Sequence, residues 1–345
     1  MTTQEVTVII PFYNAHKTLP LCLTALCAQS TSPCEIILVD NNSNDTSKDI
    51  VESFSKAVKH VKISYVAERA AGPAAARNAG ARIARGDWLL FTDADCIPSG
   101  TWLSDYLVQF SEPGLGAVAG CIRPYPPSNM VQKAISLFTL PPVTREAVFS
   151  ESTLTEGFYP TANLGVRKKV FHLVGGFNAN LRYGEDHELC HKIYQAGYRI
   201  KAVETAVVEH IHRNTVKGLV KQAFGFGSSH PFELRHFTTG RTIFVSPFHD
   251  INKPTPGKWI WVDLNQADKK LLLSLIPAIF WWPLSFVSLL YFCRLCFFVY
   301  RVGEQRNIDT AFSELPVLAL LLVVKSFALS AGRLVYSFKN KVLCI

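Results

Sequence analysis

Apolar and polar positions alternate in blocks along the first third of the chain. Val6–Pro11 is a continuous apolar run, the pattern of a strand buried on both faces, and it ends in Phe12-Tyr13-Asn14. Leu19–Gln29 then carries apolar residues at helical spacing. Glu35–Asp40 predicts a second strand, followed by the turn-rich run Asn41-Asn42-Ser43-Asn44-Asp45-Thr46, which doubles as a helix N-terminus. Lys48–Lys59 predicts a helix, Val61–Val66 a third strand, Ala74–Arg85 a third helix and Trp88–Thr92 a fourth strand. Such strict alternation predicts parallel strands with helices on both faces of the sheet. Ligands of these sheets sit at the carboxyl ends of strands, where Asn14, Asp40 and Asp93 fall. From Gly114 to Gly176 the pattern is irregular and rich in proline. A helix over Glu185–Ala196 and a strand over Ile200–Val208 follow, the latter running into Glu209-His210-Ile211-His212.

The C-terminal part reads differently. Leu271–Cys293 carries no charge, long enough to cross a ~30 Å hydrocarbon core at ~1.5 Å per residue, and Leu315–Gly332 is interrupted only by Lys325. The pair predicts a hydrophobic helical hairpin that is membrane-associated, so the chain divides into residues 1–258 and 259–345. A buried or interfacial hairpin is the competing reading. Lys258, Lys269, Lys270, Arg333, Lys339 and Lys341 lie on its flanks, and two basic flanks put both ends, and the domain before them, on the cytosolic side.

Composition narrows the functional classes. The 345 residues are 48% hydrophobic, enough for a large core, and the net charge is +8. No block of Lys and Arg alternates with aromatics, so nucleic acid is not expected as a partner; anionic lipid or phosphate-bearing substrates fit better. Nine scattered cysteines argue against a disulfide framework. Pro11-Phe12-Tyr13-Asn14 stands where a Gly-x-Gly-x-x-Gly turn would have to be, which excludes a dinucleotide-binding domain.

The run Gly86–Asp95 ends in two carboxylates, Asp93 and Asp95, separated by one alanine. Along an extended chain both would face the same side where the strand leaves the sheet. Hard oxygen ligands there suit Mg²⁺ or Mn²⁺ holding phosphates, although an Asp-x-Asp is also a common solvated turn.

Five local patterns in order resemble the inverting family-2 glycosyltransferases of GT-A fold, over residues 5 to 230. They are Val8-Ile9-Ile10-Pro11-Phe12-Tyr13-Asn14; Ile37-Leu38-Val39-Asp40-Asn41-Asn42-Ser43; Gly72 with Ala76-Arg77-Asn78-Ala79-Gly80; Asp93-Ala94-Asp95; and Gly175-Gly176-Phe177 with Gly184-Glu185-Asp186. The resemblance implies an α/β fold with a Rossmann-like, mostly parallel sheet. It also implies a nucleotide-sugar donor contacted by Pro11, Asn14, Asp40, Asn42, Arg77 and Asp93. A metal site would comprise Asp95, Asp93 and His210, with His212 as the alternative histidine. Asp186 would be the base that deprotonates the acceptor hydroxyl, with Glu185 as its companion, and Asn163 and Arg167 would line the acceptor pocket. Asp40 has a competing role as a helix N-cap, and Arg77 as an ordinary ion-pair residue.

Two departures qualify the match. Asn41-Asn42 replaces the Asp-Gly of many relatives, and Gln222 is followed by Ala223-Phe224-Gly225-Phe226 rather than the Gln-x-x-Arg-Trp of processive members. The expected reaction is therefore transfer of one sugar from a nucleotide-sugar to a hydroxyl, with a lipid-linked acceptor or a polysaccharide precursor as candidates. Two rival readings are a non-catalytic membrane scaffold with a nucleotide-binding domain and a zinc metallopeptidase. The latter rests on His187-Glu188-Leu189-Cys190-His191, which fits H-E-x-x-H.

Overall fold

A computed structural model describes residues 5–151, 157–237, 243–245, 260–263, 266–280 and 285–344. The chain forms two compact units, Met1–Tyr125 with Leu140–Ile211, and Pro126–Thr139 with His212–Ile345.

The first unit opens with β1 (Val6–Phe12), α1 (Leu19–Cys27), β2 (Glu35–Asp40), α2 (Ser47–Ala57), β3 (Lys62–Ala67), α3 (Pro73–Ile83) and β4 (Trp88–Thr92). The strict alternation gives the parallel set β3-β2-β1-β4, as the pattern predicts. Strand alternation splits the core in two. Val8, Ile10, Ile36, Leu38, Trp88 and Leu90 pack toward α1, while Ile9, Ile37, Val39, Leu89 and Phe91 pack toward the alanine-rich α3.

β5 (Cys96–Pro98) and α4 (Trp102–Gln109) follow, and β6 (Leu115–Pro124) leads out to α5 (Met130–Phe138) of the second unit. On return come β7 (Ala147–Phe149), β8 (Asn163–Arg167), α6 (Lys168–Leu173), α7 (Glu185–Gln195) and β9 (Arg199–His210). β8 enters antiparallel between β4 and β6, β9 runs parallel to β6, and the short β5 and β7 pair antiparallel with β9. The sheet is thus mixed beyond β4.

In the second unit, α8 (Val216–Phe237), α9 (Ala267–Phe280), α10 (Phe286–Arg306) and α11 (Leu315–Asn340) join α5. Within the uncharged run Leu271–Cys293, α9 covers the first part and α10 the last, and residues 281–284 lie outside the described residues. α10 runs on past Arg294 and Arg301. Residues 286–306 and 312–340 are long and apolar enough to cross a membrane by length and composition. Leu289, Leu290, Phe297 and Phe298 of α10 are exposed, whereas Leu295 and Val299 pack with Leu315, Leu318 and Ala319 of α11.

Arg333, expected at the hairpin's flank, and Lys325, expected to interrupt it, are engaged inside the second unit, as is Arg306. α11 extends to Asn340, so Arg333 lies within it, 2% exposed, bonded to Asp263 at 3.2 Å and His230 at 2.8 Å. Lys325 donates to the Phe138 carbonyl, and Arg306 to those of Ser136 (2.8 Å) and Thr139 (3.0 Å). Both cations thus satisfy the open carbonyls at the C-terminus of α5. Lys258 lies outside the described residues.

Candidate active site

The strand ends of β1 and β2 are joined by side chains that bond to backbone. Asn14, at φ +49°, donates its amide to Ser43 Oγ (3.0 Å) and accepts the Asn44 amide on Oδ1 (2.9 Å). Asn42 takes φ +68°, a left-handed conformation that asparagine tolerates better than most residues. Asn41 uses an amide where an aspartate could not: its Nδ2 donates to the Glu68 and Ala70 carbonyls while its Oδ1 accepts the Gly72 amide. Asp40 does not cap α2. Its Oδ1 accepts the Ser43 amide (2.8 Å) and its Oδ2 the Tyr65 hydroxyl (2.8 Å), whereas Asp45 bonds the Ser47 amide at the start of α2. Pro11 is buried inside β1 opposite Val39.

The two carboxylates after β4 lie on a turn rather than an extended strand, because the Cys96 amide donates to the Asp93 carbonyl at 3.0 Å. The turn separates them. Asp93 Oδ1 accepts from Arg77 Nη2 at 2.8 Å, while Asp95 Oδ1 lies 3.6 Å from His210 Nε2. β5 and β9 fix the second pair, since Cys96 lies opposite His210 and the Ile211 amide donates to the Asp95 carbonyl. Asp95, Cys96 and His210 each offer a ligand atom within 4.8 Å of the others, the one such group of metal-ligating side chains among the described residues. Burial, together with the Asp95 and Asp93 charges, holds the Cys96 thiol well above the usual thiol range. His212, the alternative histidine, belongs to the second unit, where its carbonyl accepts from Gln132.

Arg77 ties the carboxylate turn to α7. Its guanidinium is 4% exposed, with Nη1 on Glu185 Oε1 at 2.9 Å and Nη2 on Asp93, over the face of Phe177. Its neighbour Asn78 clamps the loop before α7, donating to the Phe177 carbonyl (2.8 Å) and accepting the Phe177 amide (3.0 Å). That clamp needs Gly176: it sits at φ +65°, and a Cβ there would meet Asn78 Oδ1 at 2.8 Å and Phe171 at 3.0 Å. Gly184 caps α7, so Glu185 and Asp186 occupy its first turn. Burial and the adjacent Asp186 push the Glu185 carboxyl above its ordinary range, against the pull of Arg77. Asp186 is half-buried, and its Oδ1 accepts the His187 amide at 2.9 Å.

Removing the guanidinium strands a buried carboxylate, so Arg77→Met is expected to lower unfolding free energy by about 3 kcal/mol. Arg77→Lys is expected to recover only part of it, because one ammonium cannot reproduce a two-pronged fork. Denaturant midpoints measure both, and a methionine variant as stable as wild type would contradict the bridge.

Asn163, Arg167 and the H-E-x-x-H residues make their contacts within the fold. Asn163 is 1% exposed and every polar side-chain atom is used internally: Oδ1 accepts from Trp102 and Tyr106, and Nδ2 donates to the Cys121 and Ala206 carbonyls. It braces the sheet from within. Arg167 lies at the opposite end of β8, beside Trp88, where it stacks on the indole at 4.7 Å and bonds the Leu115 and Phe110 carbonyls. The H-E-x-x-H residues also serve the fold. The His187 ring lies 3.6 Å from that of Phe158, tilted by 40°, and Glu188 pairs with Lys192 and accepts from Asn178.

Comparison with known proteins agrees with this architecture. The family model described as glycosyl transferase family 2 matches residues 7–178. A pre-mycofactocin glycosyltransferase of Mycobacterium tuberculosis is 32% identical over 238 residues, covering 68% of this chain and 48% of that protein. The chain thus spans about half the length of that relative. Glycosyltransferase AglE of Haloferax volcanii is 31% identical over 283 residues, 81% of this chain and 91% of that protein. Among solved structures, the mannosyltransferase PcManGT of Pyrobaculum calidifontis, in complex with GDP-Man and Mn²⁺, shares the fold with a TM-score of 0.56 at 18% identity, covering 94% of this chain and 86% of that one. The GT-A fold and the matches along both sequences lead to one conclusion: the chain belongs to glycosyl transferase family 2.

Proposed function

We propose that this protein is a metal-dependent inverting glycosyltransferase that moves one sugar from a nucleotide-sugar to an acceptor hydroxyl. The observation that carries the reading is the Asp93–Arg77–Glu185 bridge, which joins the carboxylate turn to the first turn of the helix holding Asp186. Donor-side and acceptor-side groups are thereby fixed around one guanidinium.

Asp95 and His210 offer a carboxylate and an imidazole that suit Mn²⁺ or Mg²⁺, while Asp93 at the start of the same turn is held by Arg77. A dication held there would neutralise the charge that grows on the departing nucleoside diphosphate. The strand ends carrying Asn14, Asp40 and Asn42 are assigned to the nucleotide. Arg77 supports the site from within, since both its arms are held by carboxylates. Asp186 takes the proton of the acceptor hydroxyl as that oxygen attacks the anomeric carbon.

Residues 1–258 are assigned to catalysis and 259–345 to membrane association, with the catalytic part on the cytosolic side. The exposed leucines and phenylalanines of α10 support attachment, and an acceptor carried on a lipid fits such a chain. The complex of PcManGT with GDP-Man and Mn²⁺ supports the choice of donor class and ion.

A thermal-shift screen of nucleotide-sugars with and without Mn²⁺ tests donor binding. One donor is expected to raise the midpoint only when Mn²⁺ is present, and at a hundred times its dissociation constant it would contribute about 2.7 kcal/mol. A scaffold without donor binding would show no shift with any of them.

A further inference from the structure

The carboxylate turn carries a sulfur atom that the resemblance does not call for. Cys96 opens β5 directly opposite His210 of β9. Residues paired in this way send their side chains to the same face, with Cβ atoms ~4.5–5.5 Å apart. Asp95 precedes it in the chain and is anchored to the same strand pair through its carbonyl. The three ligand atoms lie within 4.8 Å of one another, with Asp95 and His210 partly exposed and Cys96 at 0% exposure. The cluster therefore has a carboxylate and an imidazole on partly exposed residues, with Asp95 Oδ1 itself buried, beside a dry sulfur. A buried position on a three-residue strand is filled as well by alanine or valine, and what cysteine adds is a soft donor.

We propose that Cys96 is a third protein ligand of this metal site, so that the site prefers a thiophilic dication such as Co²⁺ or Zn²⁺ over Mg²⁺. The inference rests on the metal assignment made above and extends it. As the sulfur–metal bond forms, the thiol proton passes to solvent. Sulfur raises affinity for soft and borderline ions and does little for hard ones, so the residue sets selectivity without itself touching the sugar.

Titration of the full-length protein with Co²⁺ alone, followed by absorption spectroscopy, tests this. Visible cobalt bands and a near-ultraviolet thiolate-to-cobalt charge-transfer band are expected in wild type. Cys96→Ser is expected to lose the charge-transfer band, keep the visible ones and bind Co²⁺ about ten-fold more weakly, while Cys22→Ser changes neither band. Visible bands that require Asp95 but bring no charge-transfer band would overturn the sulfur ligand and leave the metal site standing. A charge-transfer band that survives Cys96→Ser would overturn it too. Absence of all cobalt bands in wild type would overturn the metal assignment with it. Cys96→Ala, which fills the buried position without a polar atom, carries the same outcomes where the serine variant does not fold.

Discussion

Asp186→Asn is expected to reduce sugar transfer ~10²–10⁴-fold, the usual scale for loss of a general base, with nucleotide-sugar affinity changed no more than about three-fold. The amide keeps the shape of the carboxylate, and its oxygen can still accept the His187 amide that Oδ1 holds now. What it cannot do is take a proton from the acceptor. Rates of product formation, with calorimetry of donor binding on the same preparation, separate the two effects. A variant that turns over near the wild-type rate would move the base away from Asp186. Glu185 would then have to act although its Oε1 is held by Arg77.

Asp95→Ala is expected to weaken Mn²⁺-dependent donor binding by about a hundred-fold or more, since losing a ligand costs at least as much as losing a group that only supports one. The fold should survive. Unlike Asp93, Asp95 does not pair with Arg77, and its side chain is 42% exposed at the rim of the β5–β9 pair. Calorimetry of nucleotide binding with and without Mn²⁺ measures the loss. Unchanged metal dependence in a folded variant would refute the assignment of Asp95.

How much of this could be read from the chain depended on how local the signal was. The parallel core was legible because β1, β2 and β4 each hold a run of consecutive apolar residues, and a strand buried on both faces needs no partner to be recognised. Asp93 and Asp95 were legible as a pair, but their separation was not, since the Cys96–Asp93 turn that parts them depends on where β5 meets β9. The Arg77 bridge spans 108 residues of sequence to Glu185, and no periodicity reports a contact of that range. Its signal lay in Arg77 preceding Asn78, whose clamp on Phe177 brings α7 to α3. Asn163 and Arg167 lie in a stretch whose pattern is irregular, and the β4–β8 register, invisible locally, puts one inside the sheet and the other at its far end. Tyr65, which bonds Asp40, carried no signal beyond a place in an ordinary strand.

Real-time proton NMR of the full-length protein with Mn²⁺ and the donor found in the screen bears most directly on the proposed chemistry. Water can serve as a slow acceptor, so the expected spectrum shows nucleoside diphosphate accumulating together with free sugar. The first-formed anomer is expected to have the configuration opposite to the donor's, before mutarotation mixes the two. Release of sugar with the donor's own anomeric configuration, or no release from any nucleotide-sugar, would contradict an inverting transferase.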